Sequence, residues 1–232
     1  MKQPSMQEIK EIKKRLLPVH SADVYDALDA IGYSDQCLSL NIKPLRDNME
    51  VVGPALTILG TREPLCDKEL KIPEFDDFAI FDSIYEGCVV IINAEKGDQV
   101  GHWGEMMSYG ARNKGAVGVV IDGGTRDKAG ILKIDNWACF SRYTTPVESD
   151  KRWSYKTLER PIYMSGTLKR YVRVNPGDWI VGDCDAVIVI PQGILMEVLP
   201  KIEDIYKKEE LSRKELSNGA QLKEVYKKYN RA

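Results

Sequence analysis

Histidine is almost missing from this chain: His20 and His102 are the only two in 232 residues. A metal centre built from several imidazoles therefore has no material. Cysteine is sparse and unpatterned. Cys37, Cys66, Cys88, Cys139 and Cys184 form no CxxC pair, and their odd number argues against a complete disulfide framework. Reduced, mostly buried thiols are expected. A surplus of one charge is missing too. Lys and Arg number 33 against 35 Asp and Glu, a net charge of −2, which implies neither a nucleic-acid nor a membrane partner. No apolar run reaches the length of a transmembrane helix. The opening MKQPSMQEIKEIKKRLL lacks the apolar centre of a signal peptide, so a soluble, cytoplasmic protein is expected. GxGxxG, Walker A and GxSxG motifs are absent, which leaves dinucleotide, nucleoside triphosphate and serine-hydrolase chemistry without support.

What is present reads as one α/β domain over 1–232, with 192–232 as a helical C-terminal arm. Residues 5–17 carry Ile9, Ile12, Leu16 and Leu17 at helical spacing, and Pro18 ends the helix. Ser21 and Asp23 form an N-cap region for a helix over Val24–Ile31, stopped by Gly32. Residues 37–50 look irregular. VVGPALTILG (51–60) reads as a strand interrupted by proline, and 61–75, with Pro64 and Pro73, as loop. A helix is expected over 76–85, a strand over 87–94 and a turn at Gly97–Asp98. Trp137–Phe140, Ile162–Met164 and Tyr171–Val174 are further strands. Residues 175–191 read as a Pro-Gly-Asp turn, then a strand, a polar turn and a strand. Residues 192–230 read as charged helix, with a kink at Pro200.

The stretch GHWGEMMSYGARNKGAVGVVIDGGTRD (101–127) concentrates the chemistry. A helix over 105–114, weakened by Gly110 and stopped by Gly115, is followed by a buried strand over 116–122. With the strand before it this makes a βαβ unit with parallel strands. Gly123–Gly124 then delivers Thr125, Arg126 and Asp127 to the carboxyl end of the strand, where ligands gather in such folds. The amides of Met106 and Met107 lie at a helix start and can receive a carboxylate, while their side chains read as core filler. Arg126 can grip the same carboxylate in a two-pronged hydrogen bond, or form a structural ion pair. Asp127 can bind a magnesium-like ion, or cap the segment that follows. Glu105 can hold a water of such an ion, or merely stabilise the helix dipole. His102, beside Trp103, reads as loop packing.

Taken together, the W-G-E and V-I-D-G-G-x-R-D motifs and the later N-P-G-D-x-I-V-G-D-x-D-x-V-I-V-I-P resemble the RraA-like family. That family includes class II 4-hydroxy-4-methyl-2-oxoglutarate/4-carboxy-4-hydroxy-2-oxoadipate aldolases and the protein inhibitor of ribonuclease E. The likeness extends from DVYDAL (23–28) and VVGPALTI (51–58) to a tail pattern at Glu209, Arg213, Leu216 and Gly219. It implies a β/β/α swivelling fold with helical N- and C-terminal extensions, assembled as homotrimers or hexamers with sites at subunit junctions. It implies Mg2+ or Mn2+ on Asp127, contacts through water to Glu105, and to Glu209 (with Glu210 adjoining) from a neighbouring subunit. A pyruvate-like 2-oxo acid would be held by Arg126 and the amides of Met106 and Met107. The implied activity is a metal-dependent lyase, aldolase or oxaloacetate decarboxylase, working through a metal-stabilised pyruvate enolate. The alternatives are a non-catalytic regulator that binds a ribonuclease, and a lyase or dehydratase of a sugar acid. The acid following the glycine, Glu105 here, is absent from the inhibitor branch, which favours the enzyme. Met-Met stands where the family usually has Leu-Leu, and the polar stretch 150–160 replaces a segment richer in glycine and proline.

Overall fold

A computed structural model describes residues 4–62, 68, 69, 71, 75–95 and 99–230. Cys66, Pro64, Pro73 and the turn at Gly97–Asp98 lie outside them. The strands are β1 (Lys43–Pro44), β2 (Val51–Arg62), β3 (Val89–Asn93), β4 (Gly118–Asp122), β5 (Gly124–Thr125), β6 (Ala138–Ser141), β7 (Tyr143–Thr144), β8 (Trp153–Leu158), β9 (Ile162–Ser165), β10 (Tyr171–Val174), β11 (Trp179–Gly182) and β12 (Val187–Ile190). The helices are α1 (Met6–Leu16), α2 (Ser21–Asp29), α3 (Phe78–Ser83), α4 (Glu105–Asn113), α5 (Lys128–Ile131), α6 (Leu195–Ser217) and α7 (Leu222–Tyr229).

The main sheet runs β1-β6-β4-β3-β2-β11-β12, and β2 is its pivot. Its first residues, Val51 to Pro54, pair antiparallel with β11, while Ala55 to Leu59 pair parallel with β3. Pro54, expected to interrupt the strand, instead sits where it changes partners, at a position that tolerates the missing N–H. From Ile58 to Arg62 β2 also pairs antiparallel with β8, with a bulge between Leu59 and Gly60. β3, β4 and β6 are mutually parallel. The Val and Ile runs of β3 and β4, and all four residues of β6, are buried, as in a sheet covered on both faces. Cys88 and Cys139 are buried free thiols, each pushed up to about 12 by loss of solvent. Cys37 is half-buried and Cys184 exposed.

Several expectations shift. Helix α2 starts at Ser21, earlier than its capping residues suggested, because the His20 amide donates to the Asp23 carboxylate at 3.0 Å. Ser21 is taken by Asp183, through its amide and hydroxyl, both at 2.7 Å. The arm helix α6 runs on through Pro200, and the break falls at Gly219, whose φ of +88° suits glycine. The stretch 150–160 holds strand β8, absent from the sequence reading.

A second apolar cluster lies between β11, β12 and the helices α1, α2 and α6. Ser5 and Glu8 form a capping box on α1, which turns Ile9, Ile12 and Leu16 inward. Arg15 ties α1 to Glu203 of α6 at 2.6 Å. Among the described residues, no helix is long and apolar enough to cross a membrane.

Candidate active site

The carboxyl end of β4 opens onto a cleft of about 200 Å³, lined by Gly101, Gly104, Met106, Met107, Arg126 and Asp127 among others. That volume is small beside the roughly 300–1,000 Å³ of drug-sized pockets, and it suits a small acid. Three chain segments meet there. Gly101 bridges Gly124 on one side and Glu148 on the other. The Arg126 amide donates to the Trp103 carbonyl at 2.9 Å, and the Thr125 hydroxyl to the same oxygen at 2.7 Å. Gly123 and Gly124 are not needed here for positive φ. A Cβ on Gly123 would lie 2.7 Å from His102 Nδ1, and one on Gly124 would enter the Tyr143 ring.

Asp127 sits at the N-cap of the short helix α5, yet its side chain makes no capping bond to that helix. Its backbone is left-handed, φ 61° and ψ 34°, a conformation that disfavours a side chain. The carboxylate instead turns to the start of α4, accepting from the Glu105 amide at 3.4 Å, and from Arg126 Nε at 3.3 Å. Gly104 makes room for it: a Cβ there would stand 2.9 Å from Asp127 Oδ2. The helix-cap reading of Asp127 thus fails for its side chain. Arg126 fits both of its readings, since it lines the cleft while Nη1 holds Glu148 Oε1 at 2.9 Å.

Helix α4 begins at Glu105, so the amides of Met106 and Met107 are among those that lack an acceptor within the helix. The Met106 side chain is 71% exposed, not core filler. Met107 is partly buried, its sulfur 3.7 Å from the Tyr155 hydroxyl. The Glu105 carboxylate does not line the cleft but leans over Gly130 of α5, close to where a Cβ would sit. His102 is buried, its ring edge-on to Trp153, and Nδ1 accepts from the Gly124 amide at 3.1 Å, in keeping with a packing role.

The structure does not bring Glu209 to this cleft within one chain. It lies on α6, which packs on α2, and its charge helps to raise the Asp23 carboxyl above its ordinary value. Other lining groups escaped the sequence reading: Asp77, Glu148, Ser149 and Tyr155. Tyr155 is marked only by the alternation of Trp153 and Tyr155 in β8. Its hydroxyl donates to the His102 carbonyl at 2.7 Å, and burial raises its pKa. Burial, then the charge of Asp76, raises the Asp77 carboxyl above its ordinary value. Asp122, at the last position of β4, was also missed. It is buried, ion-paired with Arg142, and accepts the Ser165 amide at 2.6 Å, anchoring the strand from which the Gly-Gly segment departs.

Comparisons with known proteins bear on the family and the fold. The RraA-like model, described as Aldolase/RraA, matches residues 21–189. The chain is 31% identical to the "Putative 4-hydroxy-4-methyl-2-oxoglutarate aldolase" of Halalkalibacterium halodurans, over 88% of this chain and 87% of that protein. It is also 31% identical to Protein DlpA of Legionella pneumophila, over 93% of this chain but only 33% of DlpA, so it spans about a third of that longer relative. Among solved structures, Streptomyces coelicolor RraAS2, described as an unusual member of the RNase ES inhibitor RraA protein family, superposes with a TM-score of 0.75 at 25% identity, covering 92% of this chain and 98% of that one. In sequence and in fold, the chain belongs to the RraA-like family.

Proposed function

We propose that this protein is a divalent-metal-dependent lyase that cleaves a carbon–carbon bond in a 2-oxo acid. The observation that carries the reading is Asp127. Its strained backbone aims the carboxylate away from its own helix and into a crevice shared with Arg126 and the start of α4. Strain of this kind, with no capping bond in return, marks a position kept for function.

The donor set fits a hard ion that keeps most of its waters. The lining is rich in carboxylates, Asp77, Asp127 and Glu148, with no thiol or second imidazole beside them. Among the described residues, the one group of three ligating side chains within 4.8 Å of one another is Asp183, Cys184 and Asp185, elsewhere in the fold. There the Asp183 carboxylate is already taken by the amides of Ser21, Asp185 and Ala186. Asp127 would hold a Mg2+ or Mn2+ ion directly, with Glu105 contributing through water. Such an ion supplies Lewis-acid polarisation of the oxo group and neutralises developing charge.

The chain's own groups do the rest. Arg126 and the amides of Met106 and Met107 bind the carboxylate and fix its orientation. As the bond between the third and fourth carbons breaks, the fourth carbon would leave as CO2 or, once its hydroxyl proton passes to water, as a carbonyl, and the electron pair would be drawn toward the oxo oxygen, where Arg126 would offset the charge. Return of a proton to that carbon from a water on Glu105 would require its carboxylate to turn from Gly130 into the cleft. The active form would be a cytoplasmic homotrimer or hexamer, with Glu209 facing a neighbour's site.

The test is pyruvate release, coupled to a dehydrogenase, from oxaloacetate and hydroxy-oxo acids with added Mg2+ or Mn2+. Chelation should abolish turnover. Arg126→Ala should lower it on the order of a hundredfold. No metal-dependent release from any substrate would sink the reading. The likeness to RraAS2 supports a second one, a regulator that binds a ribonuclease; recovery of such a partner, undiminished by Asp127→Ala, would favour it.

A further inference from the structure

Gly130 is a glycine where the backbone asks for none. It lies inside α5, its amide donates to the Asp127 carbonyl at 2.9 Å, and it is not among the residues with positive φ. Alanine would suit such a helical position better by roughly 0.5–1 kcal/mol. What the missing Cβ provides is room for Glu105. A Cβ on Gly130 would stand 2.2 Å from both Cδ and Oε2 of Glu105 and 2.6 Å from Oε1, and these three carboxyl atoms are its nearest neighbours. The glycine is a notch that fits one carboxylate.

Among the described residues, no hydrogen bond or ion pair fastens the Glu105 carboxylate there. The amide of the same residue already meets Asp127, 3.4 Å from Oδ2. The notch and the Asp127 side of the helix start therefore both lie within reach of one side chain turning about its own bonds. With no cation between them, two carboxylates at one helix start repel, which favours the notch. A divalent cation on Asp127 reverses that preference, because the ion becomes the largest local charge.

We propose that Gly130 is a positioning residue: its notch holds Glu105 out of the cleft until a divalent cation occupies Asp127, and Glu105 then turns inward to a water of that ion. Gly130, Glu105 and Asp127 belong to one chain, so the turn asks nothing of a neighbouring subunit. This proposal rests on the metal-dependent reading of the site and supplies the movement which that reading requires of Glu105.

Mn2+ affinity, measured by calorimetry on the full chain, tests it through a double-mutant cycle. A side chain held elsewhere lowers apparent affinity by the fraction of time it spends away. Gly130→Ala closes the notch and displaces only the mobile end of Glu105, so the variant should keep the circular dichroism of the wild type and bind Mn2+ about two- to fivefold more tightly. Glu105→Gln should weaken binding, and adding Gly130→Ala to it should change the affinity no further. Unaltered or weaker binding by Gly130→Ala would overturn the proposal, as would a gain that persists beside Glu105→Gln. The expected cycle without turnover of any 2-oxo acid would remove the lyase reading alone. Failure of the wild type to bind Mn2+ would overturn both.

Discussion

Two neighbouring residues, Arg126 and Asp127, show how sparse the chemistry of the cleft is. Asp127 depends on a glycine across the crevice as much as on its own backbone. Adding one methyl group at Gly104 puts a carbon 2.9 Å from Asp127 Oδ2, so the carboxylate must turn away. Gly104→Ala should therefore mimic Asp127→Asn: both should lose divalent-ion binding while circular dichroism and melting temperature stay near those of the wild type. Tight metal binding by either variant, measured by calorimetry, would place the ion elsewhere. Arg126, Asp127 and the two methionine amides could be singled out together in the sequence because they are close along it, on a strand end and the helix before it, while Glu105, singled out with them, turns to Gly130. Glu148, Asp77 and Tyr155 were not. They come from segments with no motif of their own, and only the pairing of Gly101 with both Gly124 and Glu148 brings one of them to Arg126.

Helix α4 illustrates the conflict between propensity and packing. Gly110 weakens the helix on its own, by roughly 0.5–1 kcal/mol relative to alanine. A Cβ at that position, however, would lie 2.8 Å from the Phe81 ring of α3. The overpacking penalty of about 1–3 kcal/mol outweighs the gain. Gly110→Ala should thus lower the melting temperature by a few degrees, and a rise would show that Phe81 moves aside freely. Strand β8 shows the opposite limit of sequence reading. Its charged and hydroxylated residues hid a period-two pattern in which Trp153 and Tyr155 alone are buried. Trp153 packs edge-on against both His102 and Tyr155, with ring centroids 4.7 Å apart in each case, so it supports the floor of the cleft. Trp153→Ala should cost about 3–5 kcal/mol in denaturant unfolding, well beyond what loss of a surface strand would produce. The βαβ unit and the final β-hairpin were legible because their apolar runs are continuous and bounded by glycine or proline. Strand β2 was legible as a strand, but its change of partner at Pro54 was not, since pairing is a property of the sheet and not of the segment.

At the scale of the whole molecule, the arm helix α6 is held against α1 and α2 by contacts with opposite pH dependence. The Arg15 hydrogen bond lowers the Glu203 carboxyl below its ordinary value. A depressed acid contributes stability that is present above its unfolded pKa and is lost as pH falls through the folded one. Asp23 behaves the other way. Burial, and after the His20 amide bond the charge and hydrogen bond of Glu209, leave its pKa raised. Burial and the neighbouring Glu209 charge both favour the protonated form, so the folded state holds that proton more tightly than the unfolded chain does. The contribution of Asp23 is therefore full below its unfolded value near 3.8 and declines as pH rises through the folded one. Asp23→Asn replaces the proton with a permanent donor that does not titrate. The stability of this variant relative to the wild type, from urea midpoints, should rise as pH climbs above about 4 and level off once the folded pKa is passed, and Glu209→Gln should show the same trend. A difference that is constant across that range would mean that the Asp23 carboxyl is not raised in solution and that Glu209 does not bear on it.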